Sequence, residues 1–181
     1  FFFKQKTAYE ILTCDWSSDV CSSDLGLTAV TATYAGAASG RGPVNIVKPM
    51  YHAAWLTSRL GATVETPLHP EPDGWGAIIR VKGSARTIPI QLQAVSSERL
   101  PGTTLALRIT AERRDERLDL EVSADGGAIH MRARVNGTLV RERSLRAVRA
   151  TEASLLSQSL EVGEVDPLSP AMLRAALGLI G

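Results

Sequence analysis

The chain has 181 residues with 20 basic and 19 acidic side chains, a formal net charge of +1. That balance excludes the cationic excess of a nucleic-acid-binding domain. No apolar run approaches the ~20 residues of a membrane-spanning helix, so no membrane partner is expected and the composition suits a cytoplasmic protein.

Residues 1–25 are set aside. FFFKQKTAYEI and DWSSDVCSSDL resemble a translated sequencing adapter over Lys4 to Ile11 and Asp15 to Leu25, with Leu12, Thr13 and Cys14 where a barcode would lie. The segment is expected to be artefactual and disordered, leaving residues 26–181 as a single α+β domain. Cys14 and Cys21, the only cysteines, go with it, so no disulfide, thiolate metal site or thiol switch is expected. Without Lys4 and Lys6 against Glu10, Asp15, Asp19 and Asp24, the net charge becomes +3, mildly basic. A domain of this size buries about 70% of its unfolded surface and needs no staple.

Leu27 to Tyr34 reads as a weak alternating strand, and residues 35–43 as a loop rich in small residues. Residues 44–61, VNIVKPMYHAAWLTSRLG, form the first long helical pattern. Val47, Met50, Tyr51, Ala54, Trp55 and Ser58 recur at helical spacing beside Ile46, Ala53, Leu56 and Leu60, which predicts a largely buried helix. Pro49 either kinks it or marks a regular start near Lys48. Gly61 suits a left-handed C-terminal cap, and Arg59 sits beside the negative end of the dipole. The proline-rich run at residues 67–74 predicts a surface connection, with His69 lacking partners.

From Trp75 onward, two-residue turns pair successive strands so that the same side chains face inward. Ile79 then faces Ile88, Ala77 faces Ile90 and Trp75 faces Leu92. Leu105, Leu107, Ile109 and Ala111 face Ala124, Val122, Leu120 and Leu118. A turn at Asp125-Gly126 adds Ile129, Met131 and Ala133 to that face, and one at Asn136-Gly137 sets Val140 opposite Ala133. Pro89 places its strand near an edge or a bulge. Thr151 and Ser169 read as N-caps of two closing helices. The first carries Ala153, Leu156 and Leu160, and the second carries Met172, Leu173, Ala176 and Leu177, with Gly178 as its stop. The expected architecture is an α+β fold, an antiparallel meander of about six strands with three helices packed on one face.

The opposite face is charged. The assumed registers give one row of Arg108, Glu121, His130 and Arg143 and another of Thr110, Asp119, Arg132 and Arg141. Arg132, Arg134, Arg141 and Arg143 then form either a basic strip for an acidic partner or phosphate, or part of a solvated, salt-bridged sheet face. No aromatic residues lie in the strip to stack bases, which argues against single-stranded nucleic acid. The sequence holds no metal-ligand spacing, phosphate-cradling glycine loop or serine elbow, so no catalytic residue, metal or cofactor is expected. His52 reads as a hydrogen-bonded core or boundary histidine rather than a general base, and His130 as the partner of Glu121. Trp55 and Arg59, four apart, fit a cation–π pair.

YHAAWLTSRLG, residues 51–61, resembles the WLxSRLG helix of the glucose-6-phosphate dehydrogenase assembly protein family, OpcA. The motif residues are Trp55, Leu56, Ser58, Arg59, Leu60 and Gly61. Ser154-Leu155-Leu156, and Asp166 followed by Ala175, Ala176 and Leu177, stand in the places of the family's closing double leucine and Asp-led segment. A closing tyrosine is missing, and the family's N-terminal portion would precede this piece. The resemblance implies a non-enzymatic cytoplasmic protein whose partner is glucose-6-phosphate dehydrogenase. It would act as an assembly factor or allosteric activator supporting NADPH supply in the pentose phosphate pathway. The competing expectation is a binding domain, or enzyme fragment, for an anionic small molecule such as a sugar phosphate.

Overall fold

The computed structural model describes residues 26–37, 44–82, 86–125, 127–146 and 168–181. Residues 1–25 and the helix expected at Thr151 lie outside them. The described elements are β1 (Gly26–Ala35), α1 (Val47–Arg59), β2 (Ala62–Glu71), β3 (Gly74–Val81), β4 (Thr87–Val95), β5 (Thr104–Arg113), β6 (Glu116–Asp125), β7 (Ala128–Val135), β8 (Thr138–Arg146) and α2 (Leu168–Ile180). The strands form one eight-stranded sheet in the order β2-β3-β4-β1-β5-β6-β7-β8. All neighbours run antiparallel except β1 and β4, which are parallel.

This corrects the expected architecture: the sheet is mixed and has eight strands, and two helices are described. Two strands account for the difference. Most of the proline-rich connection belongs to β2, which pairs with β3 from Ala62 to Glu71 with two register shifts. Pro67 and Pro70 fit there because β2 is an edge strand, where a missing N–H costs no ladder bond on the open side. The weak first strand is central, held between β4 and β5. Parallel pairing needs a long crossover, here through α1, β2 and β3, and no local turn signal announces it.

Alternation decides the faces. Val30, Ala32 and Tyr34 of β1 align with Ile90, Leu92 and Ala94 of β4. Ile79 and Ala77 of β3 oppose Ile88 and Ile90, the expected register. All of these side chains except the exposed Ala94, with Met50, Ala53, Ala54 and Leu56 of α1 and Ala176 and Leu179 of α2, make the buried core. Burying a side chain such as Ile79 or Leu179 completely contributes roughly 1.5–3 kcal/mol. Thr57 is fully buried with them, and its hydroxyl donates to the Ala53 carbonyl at 2.8 Å, so no polar atom is orphaned.

Helix α1 starts with Val47, and the Met50 N–H makes the first helical bond to Ile46 O at 2.9 Å. Pro49 therefore sits in the first turn, where its missing N–H has no helical partner to lose. Gly61 (φ +60°) takes the left-handed conformation expected of the cap. Helix α2 differs from expectation, because it runs through Gly178 to Ile180. A Cβ on Gly178 would stand 3.3 Å from Val64, so that glycine lets α2 lie against β2. The buried stripe is Met172, Ala175, Ala176 and Leu179, whereas Leu173 and Leu177 face outward.

The far strands keep the expected parity but not the expected rows. β5 and β6 pair as predicted, with Leu107 opposite Val122 and Ile109 opposite Leu120. β6 and β7 are shifted by two residues, so Glu121 meets Arg132 rather than His130. A two-residue slip leaves every side chain on its own face, which is why hydrophobic patterning could not detect it. A bulge in the β7/β8 pairing then sets Ala133 opposite Arg141 and Met131 opposite Arg143, leaving Val140 as the extra residue.

Candidate functional site

The four-arginine strip does not form. Arg132 and Arg134 lie on the charged face with Glu121 and Asp119, whereas the bulge turns Arg141 and Arg143 onto the apolar face beside Ala133 and Met131. What remains on the charged face is an ion-pair lattice across four strands. Arg108 Nη2 donates to Glu121 Oε2 at 2.6 Å, and Arg132 Nε donates to Glu142 Oε1 at 2.7 Å with its Nη1 3.8 Å from Glu121 Oε1. Asp119 accepts from the Thr110 hydroxyl at 2.8 Å and from Arg117 Nε at 3.2 Å. Partial burial raises its pKa, but the bonds from Thr110 and Arg117 and the charges of Arg117 and Arg108 outweigh that and hold it below the usual value. His130 meets Ser144 Oγ at 2.9 Å rather than Glu121. His69 has partners after all, the Pro67 carbonyl at 3.1 Å and Glu71 at 3.7 Å.

The motif helix is mostly structural. Leu56 is buried, Trp55 and Leu60 pack against the core, and Ser58 Oγ donates to the Trp55 carbonyl at 2.7 Å. The Arg59 guanidinium lies 6.0 Å from the Trp55 ring centroid, the expected cation–π pair.

A different cluster occupies the carboxyl ends of the parallel pair, the position where ligands settle in open α/β sheets. The 96–103 connection is tied to the end of β1: Ala35 N–H donates to Thr103 O at 2.9 Å, Gly102 N–H to Ala35 O at 2.8 Å and Gly36 N–H to Val95 O at 2.8 Å. Gly102 (φ +81°) packs so closely on Asn45 that a Cβ would stand 2.1 Å from its carbonyl oxygen, which brings the lead-in to α1 directly over this point. A register shift in the β1/β5 pairing skips Leu105, so Thr104 aligns with the buried Tyr34. Bulges re-aim side chains in this way beside functional sites. Thr104 Oγ1 lies 3.0 Å from His52 Nδ1 on α1.

His52 is thus hydrogen-bonded at the boundary, one of the two settings expected for it, with Lys48 one helical turn before it. Both are exposed, as are Val47 and Tyr51. The protein around the ring, then the charge of Lys48, push the His52 pKa below its ordinary value, which favours a neutral imidazole. The first turn of α1 carries no acidic residue. Burial pushes the Tyr34 phenol up, so it too stays neutral. Sequence reasoning singled out His52 but missed Thr104, which is 52 residues away and reaches it only through the bulge.

Among the described residues no group of three or more His, Cys, Asp and Glu side chains could hold a metal, and no helix is long and apolar enough to cross a membrane.

The fold and this cluster define a mixed-sheet domain with a polar cluster at the ends of its two parallel strands. No family model matches the chain, nor does the sequence of any curated protein. Among solved structures, the chain is similar to KijD10, a 3-ketoreductase from Actinomadura kijaniata in complex with TDP-benzene and NADP. The likeness has a TM-score of 0.55 at 10% identity and covers 96% of this chain and 56% of that one. A dehydrogenase (MviM) from Clostridium difficile matches at a TM-score of 0.44 and 9% identity, over 92% of this chain and 57% of that one. The chain therefore shares its fold with just over half of the ketoreductase. That likeness corrects the expectation of a non-enzymatic protein, since the fold is one that an enzyme carries. It has no bearing on the resemblance to assembly proteins.

Proposed function

We propose that this chain is the ligand-holding part of an oxidoreductase-type enzyme and that it binds an anionic small molecule such as a sugar phosphate. The site would be the crevice at the carboxyl ends of β1 and β4. The observation that carries this reading is the position of the cluster: His52, Lys48 and Thr104 meet where the only parallel strands among those described end side by side. The likeness to half of a ketoreductase supports it. The residues described here would bind and orient that ligand. The assembly-factor reading, with glucose-6-phosphate dehydrogenase as partner, has no feature of this fold in its favour.

Titration of the chain with glucose 6-phosphate, followed by amide NMR shifts, tests the reading. Saturable shifts confined to residues 95–104 and the first two turns of α1 are expected. Shifts confined to the charged face of β5 to β8 would move the site there and reject the crevice.

A further inference from the structure

Resting on that reading, we infer that Lys48 and the Nε2–H of a neutral His52 form the oxyanion subsite of the crevice, with Thr104 as the positioning residue that fixes the histidine's tautomer. Lys48 and His52 are four residues apart on one exposed helix face, the spacing at which two side chains can close on one ligand group. The Thr104 hydroxyl stands 3.0 Å from Nδ1. When that hydroxyl donates to Nδ1, the ring proton resides on Nε2, and the ring then presents a donor to the crevice.

The electrostatics favour an anion over a neutral group or a cation. None of the causes that move the His52 pKa is a carboxylate, and no acidic residue occupies the first turn of α1. Lys48 is therefore a cation without a counter-charge on that turn, and a phosphate or carboxylate on the ligand would supply one. A charge-assisted bond from Lys48 and a neutral bond from His52 differ in strength, so the two residues contribute unequally. Lys48 governs affinity for the charge, and His52 governs the orientation of the oxyanion. The structure explains why Thr104 rather than a neighbour does the positioning. With Leu105 skipped in the pairing, Thr104 takes the helix side of the sheet opposite Tyr34.

The test uses the 181-residue chain and three variants: Lys48→Met, Thr104→Val and Thr104→Ser. Glucose 6-phosphate and glucose are titrated separately, and imidazole nitrogen shifts report the tautomer of His52. Lys48 is exposed, so its replacement does not threaten folding. Glucose 6-phosphate is expected to bind at least tenfold more tightly than glucose, and Lys48→Met is expected to remove that difference. Thr104→Val should mix the two His52 tautomers and weaken glucose 6-phosphate severalfold, and Thr104→Ser should restore both. If glucose 6-phosphate binds in the crevice but Lys48→Met leaves its advantage intact, the subsite is wrong while the crevice stands. If the tautomer does not respond to Thr104→Val, the positioning role fails. If neither ligand binds in the crevice, the subsite falls together with the functional reading beneath it.

Discussion

Strands β1 to β4 and strands β5 to β8 alternate apolar and polar residues in the same manner, yet they end in different environments. In the first group Val30, Ala32, Ile79, Ile88, Ile90 and Leu92 are almost completely shielded, because α1 and α2 lie over β1, β2, β4 and the near side of β5. In the second group Leu118, Leu120, Met131 and Ala133 are only half-buried, Val122 is 43% exposed, and the β8 bulge places Arg141 and Arg143 on the same face. Alternation thus states which side of a strand turns from water. How dry that side becomes is decided by the helices supplied to cover it.

Cutting side chains from each half is the most direct way to break this comparison. Leu179→Ala and Ile79→Ala empty fully buried positions and should each cost about 2–5 kcal/mol, while Met131→Ala should cost well under half as much. Urea unfolding midpoints measure the difference. Equal losses would show that the far strands are as dry as the near ones. A smaller effect follows from Asp119, whose pKa lies below 3.8 in the folded chain. The unfolded state then binds more protons as the pH drops, so the contribution is present above 3.8 and is lost as pH falls through the folded value. Asp119→Asn should flatten that acid limb and lower stability at neutral pH, read from unfolding at a series of pH values. An unchanged acid limb would mean that the bonds from Thr110 and Arg117 do not hold in solution.

Particular residues show how much of this could be read in advance. The Ile79–Ile88 and Leu107–Val122 registers follow from alternation plus two-residue turns, since local geometry specifies both. The slip that pairs Glu121 with Arg132 escapes the pattern because side chains repeat every two residues. The β8 bulge escapes it because Leu139 and Val140 are both apolar, so either could point inward. The central place of β1 depends on a parallel partner that arrives some sixty residues later. The candidate site shares that cause. His52 was recognisable as a hydrogen-bonded core or boundary histidine, whereas its setting at the end of a parallel pair, and Thr104 beneath it, exist only once the crossover and the bulge do.

The charged face sharpens the comparison at a lower level of energy. Arg108 and Glu121 face each other directly across β5 and β6, and Glu121 also receives Arg132 from the other side. A double-mutant cycle replacing Arg108 and Glu121 with alanine should give a coupling of roughly 0.2–1 kcal/mol that shrinks with added salt, as for solvated pairs elsewhere. A coupling several times larger, and insensitive to salt, would mean that this face is covered in solution.

The smallest effect concerns His52, which sits on α1 in the near half. Its folded pKa lies below 6.5, so on acidification the unfolded chain takes up a proton first. Stability therefore declines as pH falls through 6.5 toward the folded value, and His52→Gln, which cannot be protonated there, should lack that decline. The same logic isolates the contribution of Lys48 to the shift. Lys48→Met removes one charge that lowers the pKa, so the histidine should then titrate at higher pH by NMR while remaining below 6.5, because the desolvation of the ring by the protein around it, the largest cause, persists. A histidine that titrates at its ordinary pH in both chains would show that the ring stands free of α1 and of Thr104. The crevice would then lack the fixed donor on which ligand orientation depends.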